Sequence, residues 1–151
     1  MTITLRKSLL FIVLIMACLS CKQQAISVEG TWQLFSATLI EKGDTTVTDY
    51  TKNARMIKII NETHFSFLNH DLSHGKDSTN ALFSAGGGRY TLDGNRYTEF
   101  LEYCNAREWE GHEFKFDLTL RNDTLIQQGV EKLENLNIER LNIEKYVRVM
   151  E

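Results

Sequence analysis

A carboxylate set among phenols and aliphatic side chains is the feature of this sequence closest to chemistry. Residues 96–104 (RYTEFLEYC) read as a strand, so alternate side chains fall on opposite faces. One face carries Tyr97, Glu99, Leu101 and Tyr103; the other carries Arg96, Thr98, Phe100, Glu102 and Cys104. The first matches the bulk of its neighbours, Tyr90 and Leu92 before it, Phe114 and Phe116 after it. Pointed inward, it makes Glu99 an interior carboxylate that needs a hydrogen bond, water or a ligand to offset desolvation. The candidate ligand-binding set is then Tyr90, Tyr97, Glu99 and Tyr103. The opposite register puts Phe100 inside and leaves Glu99 in solvent. A charge among phenols is awkward for packing alone, so Glu99→Gln is expected to leave stability within about 1 kcal/mol.

The other constellations offer less. Glu99 and Glu102 are three apart, hence on opposite faces of one strand, and cannot form a catalytic pair within it. His64 and His70 are six apart, roughly 20 Å at about 3.3 Å per residue, too far for one ion to bridge. His70, Asp71 and His74 sit in a polar stretch with Ser73, Gly75, Lys76 and Asp77 that reads as a solvated loop. We therefore expect no metal and no cofactor. Gly86-Gly87-Gly88 precedes a strand and not a helix, so it lacks the N-terminus that makes a phosphate cradle. It reads as a bulge or bend at a barrel corner. Cys104 with His112 has no evident third group and reads as a spectator thiol. Trp109, in Glu108-Trp109-Glu110, either lids a pocket or caps a rim. No catalytic residue is assigned.

The elements that position these residues are strands. His112 to Arg121 places His112, Phe114, Phe116, Leu118 and Leu120 on one face and polar residues on the other, a strand with one wet face. Asp93-Gly94-Asn95, Arg121-Asn122-Asp123 and Lys42-Gly43-Asp44 supply turns, and Asp-Gly tolerates the positive φ of tight hairpins. Runs at 31–40, 55–60, 64–69, 81–92, 96–104, 112–121, 124–130 and 141–150 make about eight strands. Only 131–139 is a helix candidate. Short connections imply antiparallel neighbours, and closing the sheet removes both of its edges. The expected fold is all-β, an eight-stranded antiparallel up-and-down barrel, with an open sandwich as the alternative.

The chain has 151 residues, 42% hydrophobic and 25% charged, within the size and composition of one globular domain. With 9 Gly and no Pro it holds no proline-rich linker. The formal net charge of −3, with no long basic run after residue 7, argues against a nucleic-acid surface. Arg6 and Lys7 precede an apolar stretch, Ser8 to Ala17, of about half the roughly twenty residues a spanning helix needs. The stretch ends in LIMACLSCKQQ and resembles a bacterial lipoprotein signal, in which cleavage precedes a lipid-bearing Cys. Cys18, with Ile15 and Ala17 before it, and Cys21, followed by polar Lys22-Gln23-Gln24, both fit. The expected division is 1–20 signal peptide, cleaved before Cys18 or Cys21, 21–29 tether and 30–151 barrel. With one of them acylated, Cys104 is most simply a free thiol.

Gly30-Thr31-Trp32 at the first strand, with Arg148 on the last, resembles the pattern that opens lipocalin-type barrels. The strand order from Gly30 to Glu151 is similar to lipocalin-like (calycin-type) domains of bacterial lipoproteins, a group without an assigned activity. The resemblance implies that Trp32 closes one end of the barrel and that Arg148, with Arg140 the weaker candidate, covers it. Thr48-Asp49-Tyr50 matches a second motif of that family in letters but follows the wrong strand. The long helix after the barrel in many lipocalins is missing.

The functional reading is a non-enzymatic protein, lipid-anchored to a membrane of the bacterial cell envelope, outer membrane above all, on its periplasmic or exterior face. Its lumen binds a small, partly apolar ligand. Two alternatives stay open: a packed barrel that docks an envelope partner, and a barrel-pocket enzyme using Glu99 as acid or base.

Overall fold

The computed structural model describes residues 27–150; the signal stretch, Cys18 and Cys21 lie outside the described residues. Ten strands follow one another: β1 (Gly30–Glu41), β2 (Asp44–Asp49), β3 (Ala54–Ile60), β4 (His64–Asp71), β5 (Phe83–Asp93), β6 (Arg96–Leu101), β7 (Tyr103–Cys104), β8 (His112–Arg121), β9 (Thr124–Leu133) and β10 (Ile138–Arg148). Eight of them form a closed antiparallel barrel in the order β1-β3-β4-β5-β6-β8-β9-β10, and β10 pairs back on β1. β2 and β7 are the two extra strands.

β1 is shared lengthwise. Its first half, Gly30 to Leu34, pairs with β3, and its second half, Ser36 to Glu41, pairs with β2. A register shift between Leu34 and Ser36 marks the change, and the Tyr50 N–H donates to the Phe35 carbonyl at 3.0 Å. The β1–β2 hairpin turns at Lys42 and Gly43, both at positive φ, and β2 is exposed throughout. Its sequence, DTTVTD, has one apolar residue, and so carries none of the apolar alternation by which the other strands are legible. The stretch 131–139 is not a helix. β9 runs on to Leu133, a 3₁₀ turn occupies Glu134–Leu136, and Asn137 at φ 52° ends that turn before β10. A single 3₁₀ turn suffices because Leu133 continues the inward alternation of Leu125, Gln127 and Glu131.

One end of the barrel is packed solid. Trp32, Leu34, Tyr97, Leu118, Leu125 and Tyr146 are fully or almost fully buried there. The Trp32 indole N–H donates to the Val28 carbonyl at 2.8 Å, and the Arg148 guanidinium lies 4.1 Å from the indole centre. Arg148 Nη1 also donates to the Glu29 carbonyl at 2.7 Å. Gly30, at φ 130°, leaves the space this guanidinium occupies: a Cβ there would lie 2.6 Å from Arg148 Nη1. Arg148, and not Arg140, covers Trp32.

The other end is open, with its lip formed by the β1–β2 hairpin, β7 and a 3₁₀ turn at Arg107–Trp109. β5 carries three consecutive glycines, Gly86 to Gly88, with Gly86 and Gly87 paired to β7. A Cβ on Gly88 would overlap the Phe100 carbonyl, so the close approach of β5 and β6 depends on glycine. Opposite the glycines the pairing slips by one residue, from Tyr90↔Glu99 to Gly87↔Tyr103, a β-bulge centred on Glu102.

Candidate functional site

The bulge decides which side chains reach the lumen. Before it, Tyr97, Glu99 and Leu101 point inward as the alternation requires. After it the faces exchange: Tyr103 stands on the outer surface, 69% exposed, and Cys104 is buried against the lumen. Tyr103 therefore does not join the site, because one inserted residue inverts a period-two pattern. Tyr90 faces inward below the site, its ring 5.2 Å from that of Tyr97 and its hydroxyl donating to the Asn61 carbonyl at 2.8 Å. Tyr97 belongs to the packed end. Of the four residues expected to bind a ligand, only Glu99 lines the cavity.

Glu99 has a partner the alternation of its own strand does not reveal. Lys58 on β3 donates to Glu99 Oε1 at 2.5 Å and to Gln127 Oε1 at 2.8 Å. Both charged side chains are under a tenth exposed. The rings of Phe65, Tyr97 and Tyr146 surround the ammonium at 5.4–5.6 Å, a cage that adds cation–π attraction to the two acceptors. This layer is the floor of the cavity. Burial, with the adjacent Glu99 carboxylate as the next cause, pushes the Tyr97 phenol far up and keeps it neutral. The Tyr97 hydroxyl is buried with no hydrogen-bond partner.

Above the floor lies a cavity of about 300 Å³. Apolar walls come from Met56, Phe67, Leu101, Phe114 and Phe116, with Trp109 at the rim. Trp109 is held between the Phe114 ring, 5.7 Å away, and the Arg140 guanidinium, 5.1 Å from its ring. β9 and β10 contribute a polar wall. Arg140 Nε donates to Glu131 Oε2 at 2.7 Å, and Asn142 Nδ2 donates to Glu131 Oε1 at 2.8 Å. Burial raises the Glu131 carboxyl above its ordinary value, and the Arg140 charge partly offsets this. Below Asn142, the Tyr146 hydroxyl donates to Glu144 Oε2 at 2.8 Å. Burial raises the Tyr50 phenol, and the Glu144 charge raises it further. Two buried amide oxygens lining the cavity, Asn69 Oδ1 and Asn142 Oδ1, have no partner.

These polar residues were hidden by inverted patterning. In β10 the apolar Leu141, Ile143 and Val147 alternate with Arg140, Asn142, Glu144 and Tyr146, and the second set points inward. In β3 it is Ile59 that is 40% exposed and Lys58 that is buried. A signal existed in the pair: an interior carboxylate calls for a buried base, and Lys58 shares its face with Met56 and Ile60.

The histidine loop has a structural occupation. Asp71 accepts from Ser73 Oγ at 2.5 Å, the Gly75 N–H at 2.9 Å and the Leu82 N–H at 3.0 Å, which closes the loop from Leu72 to Leu82. These bonds, the Ser73 hydroxyl first, hold its carboxyl well below the usual range. Among the described residues, no group of three or more His, Cys, Asp or Glu is placed to hold a metal ion. His112 Nδ1 donates to the Trp109 and Glu110 carbonyls, both at 3.2 Å, and so fixes the loop before β8.

No family model matches this chain, and no curated protein matches it.

Proposed function

We propose that this protein is a lipid-anchored protein of the bacterial cell envelope whose lipocalin-like barrel binds a small, partly apolar ligand in its open end. The observation that carries the ligand half is the cavity: a space of about 300 Å³ at the open end, at the lower end of the range for small-molecule pockets. Its walls combine aromatic and aliphatic side chains with buried polar atoms that lack partners. Buried amide oxygens without hydrogen bonds are unfavourable unless something fills them. A barrel used only as a docking scaffold would gain stability from filling this space with Leu or Phe. Glu99 as an acid or base is the weaker reading, because its carboxylate is engaged by Lys58 beneath the cavity.

The ligand half is tested with the Met56 methyl group, which lines the cavity. Small molecules extracted from the cell envelope are expected to shift the Met56 methyl resonance of purified protein. Ala37→Trp, which places an indole in the same space, is expected to abolish the shift. A Met56 signal unmoved in the wild-type chain would count against ligand binding.

The anchor half rests on the residues before 27. Cys18→Ser combined with Cys21→Ser is expected to release the protein from membranes in soluble form, and each single change identifies the acylated cysteine. Retention of the double variant on membranes washed with high salt and carbonate would refute the anchor.

A further inference from the structure

Five side chains bearing formal charge line the cavity: Lys58, Glu99, Glu131, Arg140 and Glu144. Both bases are engaged, Lys58 with Glu99 and Arg140 with Glu131. Glu144 is left over. It is half-buried, and among the described residues its side chain has one hydrogen bond, from the Tyr146 hydroxyl, and no ion pair. Two residues along the same inward face of β10, Asn142 is only 6% exposed and its Oδ1 has no partner. The orientation of that amide is set, because its Nδ2 donates to Glu131. The polar wall thus presents a carboxylate without an ion pair and, two residues along the same face, a buried acceptor oxygen without a partner. Across the lumen stand Met56, Phe67 and Phe114, with Trp109 above.

From this we infer that the ligand is a small organic cation: an ammonium group seated between Glu144 and Asn142, carrying an apolar or aromatic body that packs on Phe67 and Phe114. An ammonium donates up to three hydrogen bonds and accepts none, which complements a wall of acceptors. Its charge restores balance to a lumen holding three carboxylates and two bases, and charge-assisted bonds in a desolvated pocket are the strong kind. The floor already shows that this barrel stabilises such a group, since the Lys58 ammonium is held by two acceptors and three aromatic rings. The inference rests on the ligand-binding reading above and specifies its chemistry.

The test is a matched series titrated against the full barrel, read by the Met56 methyl resonance: phenethylammonium, 2-phenylethanol and 3-phenylpropanoate. Phenethylammonium is expected to bind about tenfold tighter than the alcohol, and the carboxylate more weakly than either. Glu144→Gln keeps the side-chain shape and an acceptor for Tyr146. It is expected to bring the ammonium and the alcohol to equal affinity while leaving the alcohol's own affinity unchanged. If the alcohol or the carboxylate binds wild-type protein as tightly as the ammonium, the cation inference fails and ligand binding stands. If Glu144→Gln leaves the preference intact, the seat is not Glu144 and the inference fails likewise. If none of the three shifts Met56 at millimolar concentration, the ligand-binding reading fails with it.

Discussion

Glu99→Gln lowers the stability of this barrel by about 3–5 kcal/mol, the expected result of leaving a buried ammonium without its counter-charge. Lys58 is almost wholly buried, and Glu99 is its only anionic contact among the described residues. The amide oxygen of glutamine still accepts a hydrogen bond but does not neutralise the charge. This reverses the near-neutral effect expected from the strand pattern alone, which took no account of Lys58. The paired replacement Lys58→Met with Glu99→Leu removes both charges and both desolvation penalties, and it is expected to recover most of the loss. Gln127 then retains an unpaired oxygen, which limits the recovery. Denaturant unfolding of Glu99→Gln and of the double variant measures this directly. A single Glu99→Gln with unchanged midpoint and slope would show that the pair does not anchor the core.

Trp32→Ala is expected to cost about 3–5 kcal/mol, as for deletion of a fully buried aromatic side chain. The indole is completely shielded and closes the packed end of the barrel, and its N–H would leave the Val28 carbonyl without its donor. Arg148→Ala is expected to cost less, because the guanidinium is partly solvated, yet the two effects are coupled. The guanidinium lies 4.1 Å from the indole centre while holding the Glu29 carbonyl, so each change removes part of what the other contributes. A double-mutant cycle should give a coupling of roughly 0.5–2 kcal/mol, the range for a cation–π contact. Strict additivity would mean that Arg148 covers the indole without stabilising it.

Much of the barrel was legible because local chemistry and global fold agree. Phe114, Phe116 and Leu118 alternate with charged and polar residues in β8, and the structure buries all three. The hairpins turn at Gly43, Gly94 and Asn122, each at the positive φ that the turn residues suggest. Legibility fails where alternation stops reporting side. β3 and β10 carry apolar residues on both faces or on the outer one, because the lumen they line is polar; a rule that places apolar residues inside then assigns the wrong face. The exchange of Tyr103 for Cys104 has a different origin. The bulge at Glu102 lies opposite the glycines of β5, where Gly88 leaves room for the Phe100 carbonyl, a consequence of strand pairing that no single strand encodes. Glu99 was found because it is a carboxylate on a bulky apolar face. Lys58, Glu131, Asn142 and Glu144 were missed because each sits in a strand whose outer face looks equally suited to burial.

The most direct measurement is native mass spectrometry of protein recovered from its own cell envelope without denaturation. The cavity and its unpaired acceptors predict a non-covalently bound small molecule on the wild-type chain, released on unfolding. Ala37→Trp, which fills that space, is predicted to be recovered bare and folded. Wild-type protein recovered, like Ala37→Trp, only at the mass of its own bare polypeptide would contradict the claim that this barrel binds a small molecule.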